Sequence, residues 1–447
     1  EQEQTCAGGA WADEGACADP DVCVDGALRP QVCDQHCVLG AWERLGGDIV
    51  QVSAGGGHTC AVRASGKVIC WGSDADGQLG NGPDLTGEQP LPTEVVGLTD
   101  AVAVSAGLHF TCALRNTGQV ACWGDDGVGQ LGNGAAVTGD QASPTDVSGL
   151  AGVVSITAGS EHVCALRSGA GVQCWGGDSF GQLGNGAVMT ADQVAPANVA
   201  GLYASDKAPV IAVSAGSYFT CALRSSGTVV CWGADDYAQI GNGGGLTENV
   251  AEPATPVGNL EDARALTTGS VHACAIRTSG HISCWGNDAA GQLGDGEQGD
   301  GGDAQPTTNV GQINDAVALS AGGLHTCALR ANGKLACWGD DEDGELGNGA
   351  VLTSSQTQAS AVEGLTGASA ITSGEAHSCA LRGNGTVVCW GSDGTGQLGN
   401  GPTLTDDQPT PGELQGQEPA GSCDAVEVST GSAHSCARHA SGHVSCW

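Results

Sequence analysis

Cysteine is the residue type whose spacing in this chain points most directly to chemistry. Eight times a cysteine is followed, after nine residues, by a second cysteine and then at once by tryptophan. Nine intervening residues suit neither a zinc knuckle nor a redox-active C-x-x-C motif, whereas residues that face each other across a short hairpin can form a disulfide. The spacing therefore predicts eight disulfides, each within one hairpin. The predicted pairs are Cys60 with Cys70, Cys112 with Cys122, Cys164 with Cys174, Cys221 with Cys231, Cys274 with Cys284, Cys327 with Cys337, Cys379 with Cys389, and Cys436 with Cys446.

Six further cysteines lie outside these pairs, and they concern the two ends of the chain. Five of them fall within residues 1–38, which we interpret as a small cysteine-rich disulfide module, and the sixth is Cys423. The segment 29–42 resembles a small cysteine-rich module of secreted myxobacterial proteins. Because five is an odd number, one of the five is expected to pair with Cys423. The candidates are Cys6, Cys17, Cys23, Cys33 and Cys37.

Composition restricts the compartment and the partners. With 14 basic and 50 acidic residues the chain carries a net charge of −36, so nucleic acid and anionic membrane surfaces would repel it. The acidity is consistent with simple solubility, with calcium binding or with a cationic partner. Disulfides in such number indicate a secreted or cell-surface protein, and no apolar run is long enough to insert into a membrane. The chain opens at Glu1 without a signal-like segment, so we expect the signal peptide to have been removed already.

The repeat predicts the fold. The tryptophans that follow the second cysteines recur every 52 to 57 residues, a period typical of propeller blades. Within residues 49–99, alternating and β-branched residues predict strands at 49–54, 58–63, 67–71 and 92–96, with a hairpin loop at 64–66. Four short antiparallel strands per unit indicate an all-β propeller. Residues 39–447 are therefore predicted to form the propeller, and residues 1–38 a separate module.

The number of blades depends on how the ends meet. The chain has eight copies of the first three strands but only seven of the fourth strand after a tryptophan. Residues 42–45 (WERL) could supply the missing strand by pairing with residues 443–447, which would close an eighth blade and remove exposed sheet edges. We favour eight blades, with seven blades and an extra hairpin as the alternative.

Two other repeated residue types have a structural and a functional interpretation. Each tryptophan neighbours a cysteine on one strand and so faces the other side of the blade, which favours packing between blades over a ligand platform. The histidines that precede the first cysteines could ring a channel and hold a metal, or could simply hydrogen-bond a neighbouring turn, which is commoner. These histidines are His58, His162, His272, His325, His377 and His434.

The repeated phrases H-x-C-A-[LV]-R, G-x-[VL]-x-C-W-G and D-x-x-G-Q-L-G-N-G resemble those of the regulator of chromosome condensation repeat family, in a secreted, disulfide-rich bacterial branch of it. The resemblance covers residues 39–447 and implies a β-propeller, usually of seven blades. Where that family commonly has asparagine after W-G-x, this chain has aspartate. Either side chain can cap the turn, but aspartate is expected to add seven charges on one rim and to bind calcium weakly. The aspartates are Asp74, Asp126, Asp178, Asp235, Asp288, Asp341 and Asp393.

The resemblance does not transfer the function of the family's founding member, a nuclear exchange factor for a small GTPase, to an acidic chain rich in disulfides. We expect a non-enzymatic extracellular propeller that acts as a binding or surface-structural module for a protein or glycan partner, with self-assembly into a fibre as one version. The inserts after each L-G-N-G phrase are expected to gather on one rim. The alternative is a lyase or hydrolase at the propeller mouth. We disfavour it because the polar residues are nearly the same in every blade, whereas an active site needs unlike residues. No cofactor other than calcium is expected.

Overall fold

The computed structural model divides the chain into two compact units, Glu1–Ala41 and Trp42–Trp447. It describes residues 48–447 apart from 84–86, 135–138, 170, 187–191, 204–207, 244–248, 254, 304, 308–309, 350–354, 401–406 and 415–423, together with the backbone of three short strands near the start. Those strands form an antiparallel sheet of order β2-β1-β3. They are β1 (Glu3–Ala7), β2 (Ala10–Trp11) and β3 (Leu28–Pro30). The side chains of the cysteines in this unit, and Cys423, lie outside the described residues, so their pairing stays a prediction.

Blade 1 shows how the repeat folds. Its strands are β4 (Ile49–Ala54), β5 (His58–Arg63), β6 (Val68–Gly72) and β7 (Gln89–Glu94), which pair antiparallel in chain order. The first two strands agree with the predicted bounds, and the third begins one residue later. The fourth was predicted too late at Pro92. The chain already pairs with Gly72 at Gln89, on the far side of a bulge, and as an edge strand it accommodates the prolines that suggested a later start.

The remaining blades repeat this order, except that blades 4 and 8 have three strands among the described residues. Blades 2 to 4 contain β8 (Ala101–Ala106), β9 (Phe110–Arg115), β10 (Val120–Gly124), β11 (Gln141–Asp146); β12 (Val153–Ala158), β13 (His162–Arg167), β14 (Gly171–Gly176), β15 (Gln193–Asn198); β16 (Val210–Ala215), β17 (Phe219–Arg224) and β18 (Val229–Gly233). Blades 5 to 8 contain β19 (Ala263–Thr268), β20 (His272–Arg277), β21 (Ile282–Asp288), β22 (Gly299–Asp303); β23 (Ala316–Ala321), β24 (His325–Arg330), β25 (Leu335–Gly339), β26 (Gln356–Ala361); β27 (Ala368–Ser373), β28 (His377–Arg382), β29 (Val387–Gly391), β30 (Gln408–Glu413); β31 (Ala425–Thr430), β32 (Ser435–His439) and β33 (Val444–Cys446). A 3₁₀ turn, Val310–Gln312, follows the last strand of blade 5.

Blade 8 packs against blade 1 and completes a ring of eight blades, as we favoured from the sequence. The amide of Ser432 donates to the carbonyl of Gly55 at 3.2 Å, and the amide of Ile49 donates to the carbonyl of Gly442 at 3.2 Å. The Thr59 hydroxyl lies 2.6 Å from His434 Nε2. Residues 42–45, which we expect to pair with the last strand, lie outside the described residues. Among the described residues, the closing contacts join blade 8 to blade 1, and the pairing of residues 42–45 stays a prediction.

The eight predicted hairpin disulfides are present in the ring. In each, the two cysteines are directly opposed in the strand register, with Cα atoms 4.1–4.2 Å apart. In the chain-entropy model, closing a loop of this length stabilises the fold by about 2.5–3 kcal/mol. The bonded pairs, one in each blade, are Cys60 and Cys70, Cys112 and Cys122, Cys164 and Cys174, Cys221 and Cys231, Cys274 and Cys284, Cys327 and Cys337, Cys379 and Cys389, and Cys436 and Cys446.

The repeated tryptophans pack between blades, as predicted. The disulfide of one blade lies in the same core cluster as the tryptophan of the next, as Cys112 and Cys122 do with Trp175. The Trp175 side chain is fully buried there, and its indole donates to the Gln130 carbonyl of the preceding blade at 3.0 Å. The tryptophans therefore belong to the frame of the ring and do not form a ligand platform.

Candidate functional site

The repeated aspartates cap the loop that follows each third strand. In blade 1, Asp74 Oδ1 accepts from the amide of Leu79 at 3.0 Å and Oδ2 accepts from the Asn81 side chain at 3.1 Å. The same contact to a leucine or isoleucine amide recurs in the other six loops. All seven side chains are buried. Capping was predicted, but the expected display of seven charges on a rim is wrong, because the carboxylates turn inward to satisfy loop amides.

Burial also changes how these carboxylates titrate. Loss of solvation raises the pKa of Asp178 and of Asp235 to about 6. Within the described part of the chain, no three histidine, cysteine or acidic side chains come together as a metal site. A calcium ion would have to compete with the amide donors that the capping oxygens already engage. Calcium binding here stays a prediction.

The repeated histidines lie at the joints between blades. The Nε2 atom of His58 in blade 1 lies 2.7 Å from Thr111 Oγ1 in blade 2, whose hydroxyl in turn donates to the Gln78 carbonyl at 3.2 Å. Since that hydroxyl has a single proton, we assign Nε2 as the donor to Thr111. The Gln78 carbonyl also accepts from the Trp123 indole at 2.8 Å. The joints of His162, His272 and His377 show the same relay from imidazole to hydroxyl to backbone carbonyl.

At every joint of the ring, the residue at the histidine position of one blade matches in polarity the residue at the hydroxyl position of the next blade. The histidines of blades 1, 3, 5, 6, 7 and 8 each meet a threonine or serine hydroxyl of the following blade at 2.6–2.8 Å. Blades 2 and 4 have Phe110 and Phe219 at the histidine position, and the blades that follow them have Val163 and Ala273 at the hydroxyl position. The match includes the joint between blades 8 and 1, where His434 meets Thr59. The residues at this joint are therefore suited to closing the ring.

Burial keeps the joint histidines neutral. It lowers the pKa of His58, His325 and His377 to about 3 and that of the other three to about 4. For five of the six, the buried Nδ1 atom has no hydrogen-bond partner, so a second proton there would be unsatisfied. The hydrogen-bonding role that we considered commoner for these histidines is the one observed, although the partner is a side chain of the next blade and not a turn.

Glycine turns between the first and second strands surround a cavity of about 220 Å³ on the ring axis, which we call the mouth. The first turn residue is glycine in all eight blades. A Cβ atom on Gly55 would lie 2.4 Å from the Gly107 carbonyl oxygen of the next blade, so neighbouring turns approach too closely for any side chain. In blade 1 the Gly56 amide donates to the same Gly107 carbonyl at 3.1 Å.

Three positions around the mouth vary between blades although the surrounding motif hardly changes. They are the second and third residues of each turn and the residue two after each capping aspartate, and together we call them the mouth face. Contacts show that they adjoin. His109 of one turn lies 3.5 Å from Asp76 of the preceding loop, and the Phe180 and Tyr218 rings lie 5.1 Å apart in the same relation.

The mouth face differs in character around the ring. Blades 2 to 4 present Leu108, Phe180, Tyr218 and Tyr237, of which Leu108 and Tyr237 are 36% and 42% exposed. We did not single out these residues from the sequence, where each stands alone in a different repeat. Aligning the repeats and asking which positions change would have found them.

Blade 6 departs from the repeat inside its loop. Six loops have a glutamine whose side-chain carbonyl accepts from the amide two residues before it, and in blade 2 the Gln130 amide group also donates to Asp125 at 2.7 Å. Blade 6 has Glu345 at the position of this glutamine and Asp340 at the position of Asp125. A carboxylate cannot donate, and burial next to Asp340 raises the pKa of Glu345 to about 8. Glu345 therefore keeps its proton at neutral pH.

Comparison with known proteins reveals extensive similarity. The family model of the RCC1-like domain matches residues 11–315, and the model of the regulator of chromosome condensation (RCC1) repeat matches 316–345, 368–397 and 384–438. The ultraviolet-B receptor UVR8 of Arabidopsis thaliana is 30% identical over 363 residues, which span 80% of each chain. The human E3 ubiquitin-protein ligase HERC2 is 29% identical over 341 residues, 74% of this chain but only 7% of HERC2.

Solved structures show the same fold. Prp20p from Saccharomyces cerevisiae, described with its binding to Gsp1p and histones, superposes with a TM-score of 0.66 at 21% identity, over 86% of this chain and 92% of Prp20p. Human WBSCR16 superposes with a TM-score of 0.66 at 22% identity, over 83% and 99% of the two chains. Among the residues that the structure describes, no helix has the length and apolar character needed to cross a bilayer.

Proposed function

Because the chain belongs to the RCC1-like family, we propose that it is a non-enzymatic binding propeller that acts outside the cell and recognises a protein partner through its mouth face. The observation that carries this proposal is the contrast between the repeated structural residues of the blades and the variable residues of the mouth face. Disulfides, tryptophans, capping aspartates and turn glycines recur from blade to blade, whereas the positions around the mouth range from glycine to tyrosine and glutamate. A rigid frame that presents varied side chains suits recognition.

The chemistry of the mouth face favours a protein surface. Phe180, Tyr218 and Tyr237 offer large, rigid contact area at a small entropic cost, as aromatic residues do in other protein interfaces. The net charge of −36 attracts basic partners and repels nucleic acid. Prp20p, which shares the fold, is described by its binding to other proteins, and this supports a protein partner without identifying one.

The disulfides support an extracellular site of action. Eight bridges of one type, each joining neighbouring strands within a blade, require an oxidising compartment for their formation and persistence. Peptide mapping of the native, non-reduced protein is expected to recover Cys60 linked to Cys70 and the seven equivalent pairs. Free thiols in these hairpins would contradict an extracellular location.

The binding proposal is tested by two matched triple variants. The first replaces Leu108, Tyr218 and Tyr237 of the mouth face by alanine. The control replaces three exposed valines by alanine, Val50, Val102 and Val317, which lie near the opposite ends of the inner strands, and so shortens exposed apolar side chains away from the mouth.

The wild-type protein, immobilised, should capture a defined protein from the extracellular fluid of its source. The mouth-face variant should lose that protein while the valine variant keeps it. Loss by the valine variant alone, or no difference between the variants, would place recognition elsewhere. Both variants are expected to melt within a few degrees of the wild type, because Tyr218 is only partly buried and the other five replaced side chains are exposed.

A further inference from the structure

The mouth departs from eightfold repetition at two places, and each departure involves two neighbouring blades. The second turn residue is serine in four blades, but it is Leu108 in blade 2 and Glu375 in blade 7. In both cases the preceding blade has glycine, Gly56 and Gly323. A Cβ atom on Gly56 would lie 2.8 Å from Leu108 Cδ1, and one on Gly323 would lie 2.8 Å from Glu375 Oε1. The glycines therefore make room for the larger side chains to lie along the rim.

Glu375 reaches across one whole blade in this way. Its carboxylate passes over Gly323 of blade 6 and accepts a hydrogen bond from the Ser270 hydroxyl of blade 5, with Oε2 3.3 Å from Oγ. Among the described residues that line the cavity, Glu375 is the only charged one. The described lining residues include no lysine, arginine or histidine that could neutralise it.

The rest of the lining fits an amphiphilic cation. Ser160, Ser217 and Ser432, which carry hydroxyl groups, line the same cavity, as does the apolar residue Leu108. A cavity of about 220 Å³ has room for a short alkyl chain but not for a folded segment. The strongly acidic protein would also raise the local concentration of any cation.

We propose that the mouth binds a primary alkylammonium group, with the cation paired to Glu375 and its alkyl chain directed towards Leu108. Such a group occurs as a free small amine and as the lysine side chain of a protein. This assignment deepens the proposed function, on which it rests, by naming the chemical group that the mouth face would receive. Charge-assisted hydrogen bonds to a carboxylate held in place by a neighbouring donor are the strong kind.

The test is calorimetric titration at low salt with two probes. n-Butylammonium represents the free amine, and the capped tripeptide acetyl-Gly-Lys-Gly-amide represents a lysine side chain. Butan-1-ol is the uncharged counterpart of the first probe. We expect one saturable site for at least one of the two cations and none for the alcohol. Binding of the tripeptide would assign the site to a lysine, and binding of butylammonium alone would assign it to a small amine.

Two variants separate a specific site from general attraction to an acidic protein. Glu375→Gln removes the charge with little change in shape. Its control, Glu261→Gln, removes one exposed charge that lies outside the mouth face, just before the first strand of blade 5. Gly323→Ser keeps the charge but places a side chain where the Glu375 carboxylate lies. Roughly tenfold weaker binding is expected for Glu375→Gln and Gly323→Ser, and unchanged binding for Glu261→Gln.

Equal binding by Glu375→Gln and the wild type would overturn the proposal, as would an absence of saturable binding by either cation. These outcomes leave the proposed function separately testable, because partner capture depends on Leu108, Tyr218 and Tyr237. Retained capture with no ammonium site would refute only the ligand assignment. Loss of the captured protein in the valine control would refute the proposed function itself.

Discussion

The joint between blades 3 and 4 allows the role of the buried histidines to be measured. His162 Nε2 lies 2.8 Å from the Thr220 hydroxyl, which donates to the Gln182 carbonyl at 3.1 Å. The chain already contains an apolar version of this joint, Phe110 facing blade 3 at Val163. The double variant that combines His162→Phe with Thr220→Val therefore copies a joint that the ring is known to accommodate.

At pH 8 the single variant Thr220→Val should be clearly less stable than the double variant. Thr220→Val leaves the His162 Nε2–H donor buried without an acceptor, which costs about 1–3 kcal/mol. The Gln182 carbonyl is unaffected because the Trp232 indole still donates to it at 2.8 Å. The double variant removes the unpaired donor together with its partner and should lie within about 1 kcal/mol of the wild type.

Acid should reverse the order of wild type and double variant. Burial lowers the pKa of His162 from 6.5 to about 4, so the unfolded chain binds the proton first as the pH falls. The stability that the neutral histidine provides is complete above pH 6.5 and is lost between 6.5 and 4. At pH 5 the loss is about 2 kcal/mol for this one residue. The double variant does not incur it and should be the more stable protein there.

Guanidinium unfolding of the four proteins at pH 8 and pH 5 provides the measurement. The capping aspartates with pKa near 6 favour the folded state as the pH falls, but they are common to all four proteins and cancel in the comparison. The reasoning fails if Thr220→Val is as stable as the double variant at pH 8. It also fails if the stability difference between double variant and wild type is the same at both pH values.

Three further predictions concern groups outside the joints. Glu345→Gln should stabilise the protein by about 3 kcal/mol at pH 7. A glutamate pKa raised to about 8 means stability that is complete below pH 4.5 and lost as the pH rises to 8, and an unchanged pH profile of unfolding would refute this. If the capping aspartates bind calcium, the melting temperature should rise with calcium and fall with a chelator; indifference to both would leave them as turn caps alone. Cys423 should be bonded to one of the five N-terminal cysteines. Non-reducing mass spectrometry would show a monomer for a closed chain and a ladder for a covalent fibre, and a free thiol would defeat both.

Local patterns made most of the fold predictable. The strands of blade 1 alternate in polarity and flank a three-residue loop in which Gly66 adopts a φ of +81°, so the opposition of Cys60 and Cys70 follows from counting along a hairpin. The eight-bladed ring was predictable from the number of strands, although the family habit of seven argued against it. These inferences depend on neighbours in sequence, which one chain displays directly.

Features that depend on the distance between blades were not predictable in the same way. Asp74 was expected to add a charge to one rim, but its side chain is buried because it accepts hydrogen bonds from Leu79 and Asn81 of its own loop. The position of Glu375 depends on a glycine 52 residues earlier in the chain. Neither residue alone signals the contact, and only the packed ring shows that the two positions adjoin.

The matched joints also affect whether a chain of near-identical repeats assembles its blades in the correct order. A ring that skipped blade 2 would bring His58 against Val163, and one that skipped blade 3 would bring Phe110 against Thr220. Skipping blade 4 or blade 5 produces the same two mismatches, a buried imidazole without its hydroxyl acceptor or a hydroxyl without its imidazole donor. Skipping any of the other four blades leaves histidine facing a hydroxyl. The two apolar joints thus disfavour misassembly that skips any of blades 2 to 5. Errors of assembly in the folding chain should therefore concentrate in blades 6, 7, 8 and 1, whose joint residues are interchangeable.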